Sequence, residues 1–208
     1  MVKVGDGMQL LCFGDSLTNG YDVPRGLGWV ELVQKEFPDV EIQNHGIDGD
    51  TLQGIMYRLE RVSSCTGSAN SNKVPCSDGV AVRRAENKRY IFLMGGSNDI
   101  LMGRDETYCF KKMIELIACA RSKGATLIVG LAPQIDFDMA GLDLIMVRYI
   151  ELLKQYCAEQ HIDTIDFYRV IHDADMQGKL VFAGDVHPNE PGYALMAEKA
   201  KKVLARLL

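Results

Sequence analysis

The stretch "MQLLCFGDSLTNG" (8–20) is a short apolar run that stops at Gly14 and gives way to a small, polar turn. A run this short and this apolar suits a strand buried on both faces, as in a parallel sheet. Similar runs recur as "VEIQN" (40–44), "RYIFLMG" (89–95), "ATLIVGLA" (125–132) and "IDTIDF" (162–167). Helical patterns lie between and after them, at 28–37, 51–62, 106–123, 140–160 and 189–207. Strand–helix alternation predicts an α/β fold: a parallel sheet of about five strands, helices on both faces, and right-handed crossovers.

The 208 residues fit one domain better than two. Apolar residues make up 47% and charged residues 25%, so the chain can bury a core and remain soluble. A net charge of −5, with no basic cluster beyond "KRY" (88–90) and "AKKVLARLL" (200–208), argues against nucleic acid as a partner. No apolar run approaches the ~20 residues of a membrane span. The start, "MVKVGDGMQLLCFG", lacks the features of a secretory leader, so a cytoplasmic location is expected. None of the six cysteines forms a C-x-x-C pair, and no Cys/His grouping has zinc spacing. Most read as small buried hydrophobes. Cys65 and Cys76 differ, because they flank a polar loop, and whether they pair is left open. That loop, within "SSCTGSANSNKVPCSDG" (63–79), is long for a compact domain. It is expected to be a surface insertion, acting as a lid or as a contact in a homo-oligomer.

Ligands in open parallel sheets bind beyond the carboxyl ends of the strands. The segments there are "GDSLTNG", "NHGIDGDT", "GGSNDI" and, near the end of the chain, "GDVHPNEPGY". Ser16 is by position alone a helix cap or a nucleophile. His187 is the best placed of the four histidines to act as a base, since Pro188 and Pro191 stiffen its loop. Gly49 offers a bare backbone N–H, and Asn98 a side-chain amide at a strand end. Each has an ordinary structural reading as well: a solvent-facing loop histidine, a turn glycine, a capping asparagine. What raises them together is that acyl transfer by serine needs a base, an orienting group and preorganised oxyanion donors.

In order, "FGDSLTNG", "NHGIDGDT", "GGSND" and "DVHPNEPGY" resemble the four sequence blocks of the GDSL family, also called SGNH hydrolases. The resemblance implies a flavodoxin-like three-layer α/β/α sandwich and ester or thioester hydrolysis without metal or other cofactor. Carried over by motif, Ser16 is the nucleophile and His187 the base. Ser16, Gly49 and Asn98 form the oxyanion hole, while Asp15 and Asp99 hold their loops. One block departs from the family. The acid usually stands three residues before the histidine, but here that position is Gly184 and the aspartate is Asp185. Asp185 is the natural candidate to hold the imidazole, with a backbone carbonyl or a carboxylate from another segment as alternatives.

Other classes fit less well. The G-x-S-x-G elbow fails at the fifth position of both "GDSLT" and "GGSND". Neither nucleotide-binding glycine signature is present. "GDGDTLQG" has Leu52 where a calcium loop needs an oxygen ligand. The substrate expected is a small-molecule acyl ester. A carbohydrate O-deacetylase is the runner-up, and a silent binding domain on the same fold the third reading. Specificity is expected in the loops at Asp22–Leu27, 100–105 and 133–141.

Overall fold

The computed structural model describes residues 7–63, 88–135, 141–184 and 186–208. Most of the 63–79 insertion, with Cys65 and Cys76, lies outside these residues, as do 136–140 of the third specificity loop and Asp185.

Five strands form one parallel sheet: β1 (Gln9–Gly14), β2 (Glu41–Gly46), β3 (Arg89–Leu93), β4 (Thr126–Leu131) and β5 (Asp163–Asp166). Their order is β2-β1-β3-β4-β5, the doubly wound flavodoxin-like arrangement. Register is set by apolar residues aligned across the middle of the sheet. Leu10 stands beside Ile42 and Tyr90, and Phe92 stands beside Ile128. The central strands β1, β3 and β4 are almost wholly buried. The edge strand β2 is not, which is why its sequence mixes Glu41, Gln43 and Asn44 with a single aliphatic residue.

Eight helices lie among the described residues, six between strands and two after β5: α1 (Ser16–Asn19), α2 (Trp29–Glu36), α3 (Leu52–Glu60), α4 (Ser97–Leu101), α5 (Glu106–Ser122), α6 (Leu142–Glu159), α7 (Phe167–Met176) and α8 (Glu190–Leu204). Helices α2, α7 and α8 cover one face of the sheet, and α3, α5 and α6 the other. Trp29 of α2 packs on Phe92 of β3 and Phe167 of α7, with ring centroids 5.0 and 5.1 Å away. The Trp29 indole N–H donates to the Leu17 carbonyl at 3.1 Å, which fastens α1 to this core.

The sequence pattern missed α7. Asp166 both ends β5 and caps the helix, its carboxylate accepting from the Arg169 N–H at 3.0 Å, so no turn residues separate the two. The apolar side of α7 (Phe167, Ile171 and Ala174) has ordinary helical spacing and is buried. Cys12, Cys109 and Cys157 are free and buried in the core, as small apolar residues.

Candidate active site

The sheet order reverses direction between β1 and β3, so the loops after these strands part and leave a crevice. α1 begins there at once after β1. Asp15 caps it, accepting from the Leu17 N–H at 3.0 Å, and Ser16 is its first residue. A first-turn N–H has no partner inside its own helix. The Ser16 N–H has none elsewhere among the described residues either.

The loop after β2 carries Gly49 at φ +74°, where a side chain would be strained whatever the space around it. No neighbouring atom would meet a Cβ there, so backbone conformation rather than crowding calls for glycine. Its N–H also lacks a hydrogen-bond partner among the described residues. Asp50, next in the chain, is the hub of this loop. Its carboxylate accepts from Arg58 Nε at 2.9 Å and from a terminal Arg58 nitrogen at 2.5 Å. Arg58 also donates to the carbonyls of Gly14 and His45, at the ends of β1 and β2. Sequence reading had no signal for Arg58, since its partners converge only in the fold.

Asn98 stands in α4, after β3. Its side-chain amide donates one hydrogen to the Asp50 carbonyl at 2.8 Å, which leaves the second hydrogen for another acceptor. Asp99 beside it accepts from the Leu52 N–H at 2.9 Å and so holds the start of α3. Burial pushes the Asp99 carboxyl above its usual range, with that N–H opposing. On the other side of the Gly49 loop, Asn19 Nδ2 donates to Asp48 at 2.8 Å. Direct bonds therefore link all three loops.

His187 arrives from the far end of the chain. Its loop is closed by a bridge between Phe182 and Pro188 and by a bond from the Ala183 N–H to the His187 carbonyl at 2.8 Å. Ser16 Oγ and His187 Nε2 are 2.9 Å apart, although 171 residues separate them in sequence. On the other side of the ring, Nδ1 is 3.3 Å from Asp22 Oδ2. A carboxylate can only accept, so the tautomer with its proton on Nδ1 suits this contact and has Nε2 free to accept from the serine hydroxyl. Burial lowers the His187 pKa below the usual imidazole range, while the Asp22 and Asp48 charges raise it in part. Burial thereby favours the neutral ring, the form a base requires.

The structure thus brings Ser16 and His187 into contact and ties the Gly49 and Asn98 loops together through Asp50. Asp22, at the start of a loop expected to set specificity, lies against the ring of His187. Tyr21, also unforeseen, packs on that ring with centroids 4.7 Å apart.

An α/β domain that sets a serine hydroxyl against a histidine at the switch point of its sheet has the layout of a serine-type hydrolase. The GDSL-like lipase/acylhydrolase family model matches residues 12–195, and the chain belongs to that family. Its fold resembles that of a member of the lipolytic protein G-D-S-L family from Veillonella parvula. That protein is 46% identical at TM-score 0.81, with 96% of this chain and 99% of that chain covered. The same fold occurs at 17% identity in a psychrotrophic esterase from Pseudoalteromonas sp., with TM-score 0.66 and coverage of 96% and 97%. It also occurs at 17% identity in an acetyl xylan esterase, with TM-score 0.70 and coverage of 96% and 100%. No protein of curated function matches the chain. Among the described residues no helix is long and apolar enough to cross a membrane.

Proposed function

We propose that this chain hydrolyses carboxylic or thio esters of small acyl substrates, with Ser16 as nucleophile and His187 as general base. The observation that carries this reading is the 2.9 Å contact between Ser16 Oγ and His187 Nε2, in a site where burial favours the neutral imidazole. In the first step Oγ attacks the acyl carbon and its proton passes to Nε2. The carbonyl π pair becomes an oxyanion, which takes hydrogen bonds from the Ser16 N–H, the Gly49 N–H and the second Asn98 amide hydrogen. Collapse expels the alcohol, which leaves with the proton from His187 and yields an acyl-serine. Water then repeats the sequence: His187 takes its proton, the oxyanion forms again, and the acid leaves as Oγ is reprotonated. Preorganised donors of this kind are worth about 10²–10³ in rate each.

A carbohydrate O-deacetylase using the same machinery is the second reading. It draws on the acetyl xylan esterase among the structural neighbours, where the likeness is one of fold.

The test is a panel of short-chain aryl esters and acetylated sugars assayed with the parent and with Ser16→Ala. Hydrolysis by the parent, reduced by about 10³ or more in the variant, is expected. Equal activity in both would overturn the nucleophile assignment. His187→Ala should lose as much as Ser16→Ala, and the double variant scarcely more, because groups acting as one unit are not additive.

A further inference from the structure

We infer that Asp22, six residues beyond the nucleophile in the same loop system, is the carboxylate that orients His187. This rests on the serine–histidine reading above and supplies the group that the "GDVH" block leaves in question.

Three observations place Asp22 in that position. Its Oδ2 stands 3.3 Å from His187 Nδ1, on the side of the ring away from Ser16. Its loop is anchored on the nucleophile itself, because the Ser16 carbonyl accepts from the N–H of Gly20 at 3.0 Å and of Tyr21 at 3.1 Å. The backbone that carries Asp22 is therefore tied to the residue that bears the hydroxyl. Asp22 also adopts φ +67°, an uncommon conformation for a residue other than glycine. That conformation accompanies the turn of the chain toward the histidine, with Tyr21 packed on the imidazole face. Beyond it the segment is pinned by Leu27 N–H to the Pro24 carbonyl at 3.1 Å and by Lys35 Nζ to the Gly26 carbonyl at 2.8 Å.

Among the described residues the titratable and charged groups around the imidazole come from two elements. Asp22 and Tyr21 belong to the loop after α1 and Asp48 to the loop after β2. In sequence Asp185 stands two residues before His187. Asp48 is engaged by the Asn19 amide at 2.8 Å. Asp22 has the direct contact with Nδ1. Its side chain is 40% exposed, so its effect is smaller than that of a buried triad acid.

The test compares Asp22→Asn with Asp185→Asn in two readouts. Asparagine tolerates the left-handed conformation, so the Asp22 variant should fold. The first readout is the His187 titration followed by NMR, assigned with His187→Ala. It needs no substrate. Removing the Asp22 charge should lower the His187 pKa, whereas Asp185→Asn should shift it less. The second readout is the pH profile of ester hydrolysis. Asp22→Asn should lose about tenfold to a hundredfold in kcat with little change in KM, and the acid limb of kcat/KM should move to lower pH. Asp185→Asn should lose less and leave the limb closer to that of the parent. An unmoved His187 titration in Asp22→Asn would overturn the inference, as would an equal or larger shift in Asp185→Asn. Full activity in Ser16→Ala would instead overturn the underlying reaction and leave the titration result to stand by itself.

Discussion

Asp15 shows how much a single residue next to the proposed nucleophile Ser16 is asked to do. It is fully buried, it caps α1, and its second carboxylate oxygen has no partner among the described residues. Burial pushes its pKa up to about 7 from an unfolded value of 3.8, with the Leu17 N–H opposing. The folded chain therefore binds this proton more tightly than the unfolded one. The stability linked to it is whole below pH 3.8 and is lost as pH rises through about 7. Asp15→Asn keeps a cap for the Leu17 N–H but never ionises. Its melting temperature should change less between pH 4 and 7 than that of the parent, and calorimetry across that window checks this. Parallel curves would show that Asp15 ionises freely in the fold. At this scale the sequence was informative where a motif singles out a residue, as at Ser16 and His187, which the fold brings to 2.9 Å of each other. It was silent on Asp22, whose partner lies at the other end of the chain and whose own surroundings, "GYDVPRG", look like any turn.

At the scale of elements, the loops work because helices approach strand ends closely. Gly46 closes β2 against α1, where an added Cβ would stand 2.7 Å from Asn19 Cα and 2.8 Å from the Thr18 carbonyl carbon. These are backbone atoms of the helix that begins with Ser16, so they cannot rotate away. Gly46→Ala should destabilise by about 1–3 kcal/mol, a drop in melting temperature of roughly 2–12 °C. It should also reduce kcat/KM by more than tenfold, because the relief available is a shift of α1. A stability loss with unchanged hydrolysis would show that the strand end yields instead. All five strands and helices α2, α3, α5, α6 and α8 were legible in the sequence, since their apolar patterns answer directly to burial. The short helices α1 and α4 were not, because at four and five residues each spans little more than one turn and has no periodicity to read. Helix α7 was hidden by the direct passage from strand to helix at Asp166.

For the molecule as a whole, the sheet order separates what holds the fold from what performs the chemistry. The β2-β1-β3 half carries the loops of Ser16, Gly49 and Asn98, while β4 lies deep in the core. Arg58 joins the functional half, binding Asp50 and the carbonyls that end β1 and β2. Two substitutions should therefore part stability from activity. Ile128→Val removes one methylene from a fully buried position on β4 and should cost about 0.5–1.5 kcal/mol, or roughly 1–6 °C in melting temperature. Its kcat/KM at 25 °C should stay within about twofold of the parent, because packing loss on β4 has no direct path to the crevice. Arg58→Gln should instead lose activity well beyond what its stability cost accounts for. Its carboxylate partner is 13% exposed, so water can enter and limit the stability loss to about 1–3 kcal/mol. The Gly49 loop, however, loses the bonds that fix Asp50, and with Asp50 the carbonyl that holds Asn98. Hydrolysis should fall about tenfold or more in kcat, with KM little changed, as expected when donors to the oxyanion lose their preorganisation. Thermal melts and ester hydrolysis measured on the same preparations decide the matter. Loss of activity in proportion to loss of stability in both variants would mean that the site has no support of its own and simply follows the core.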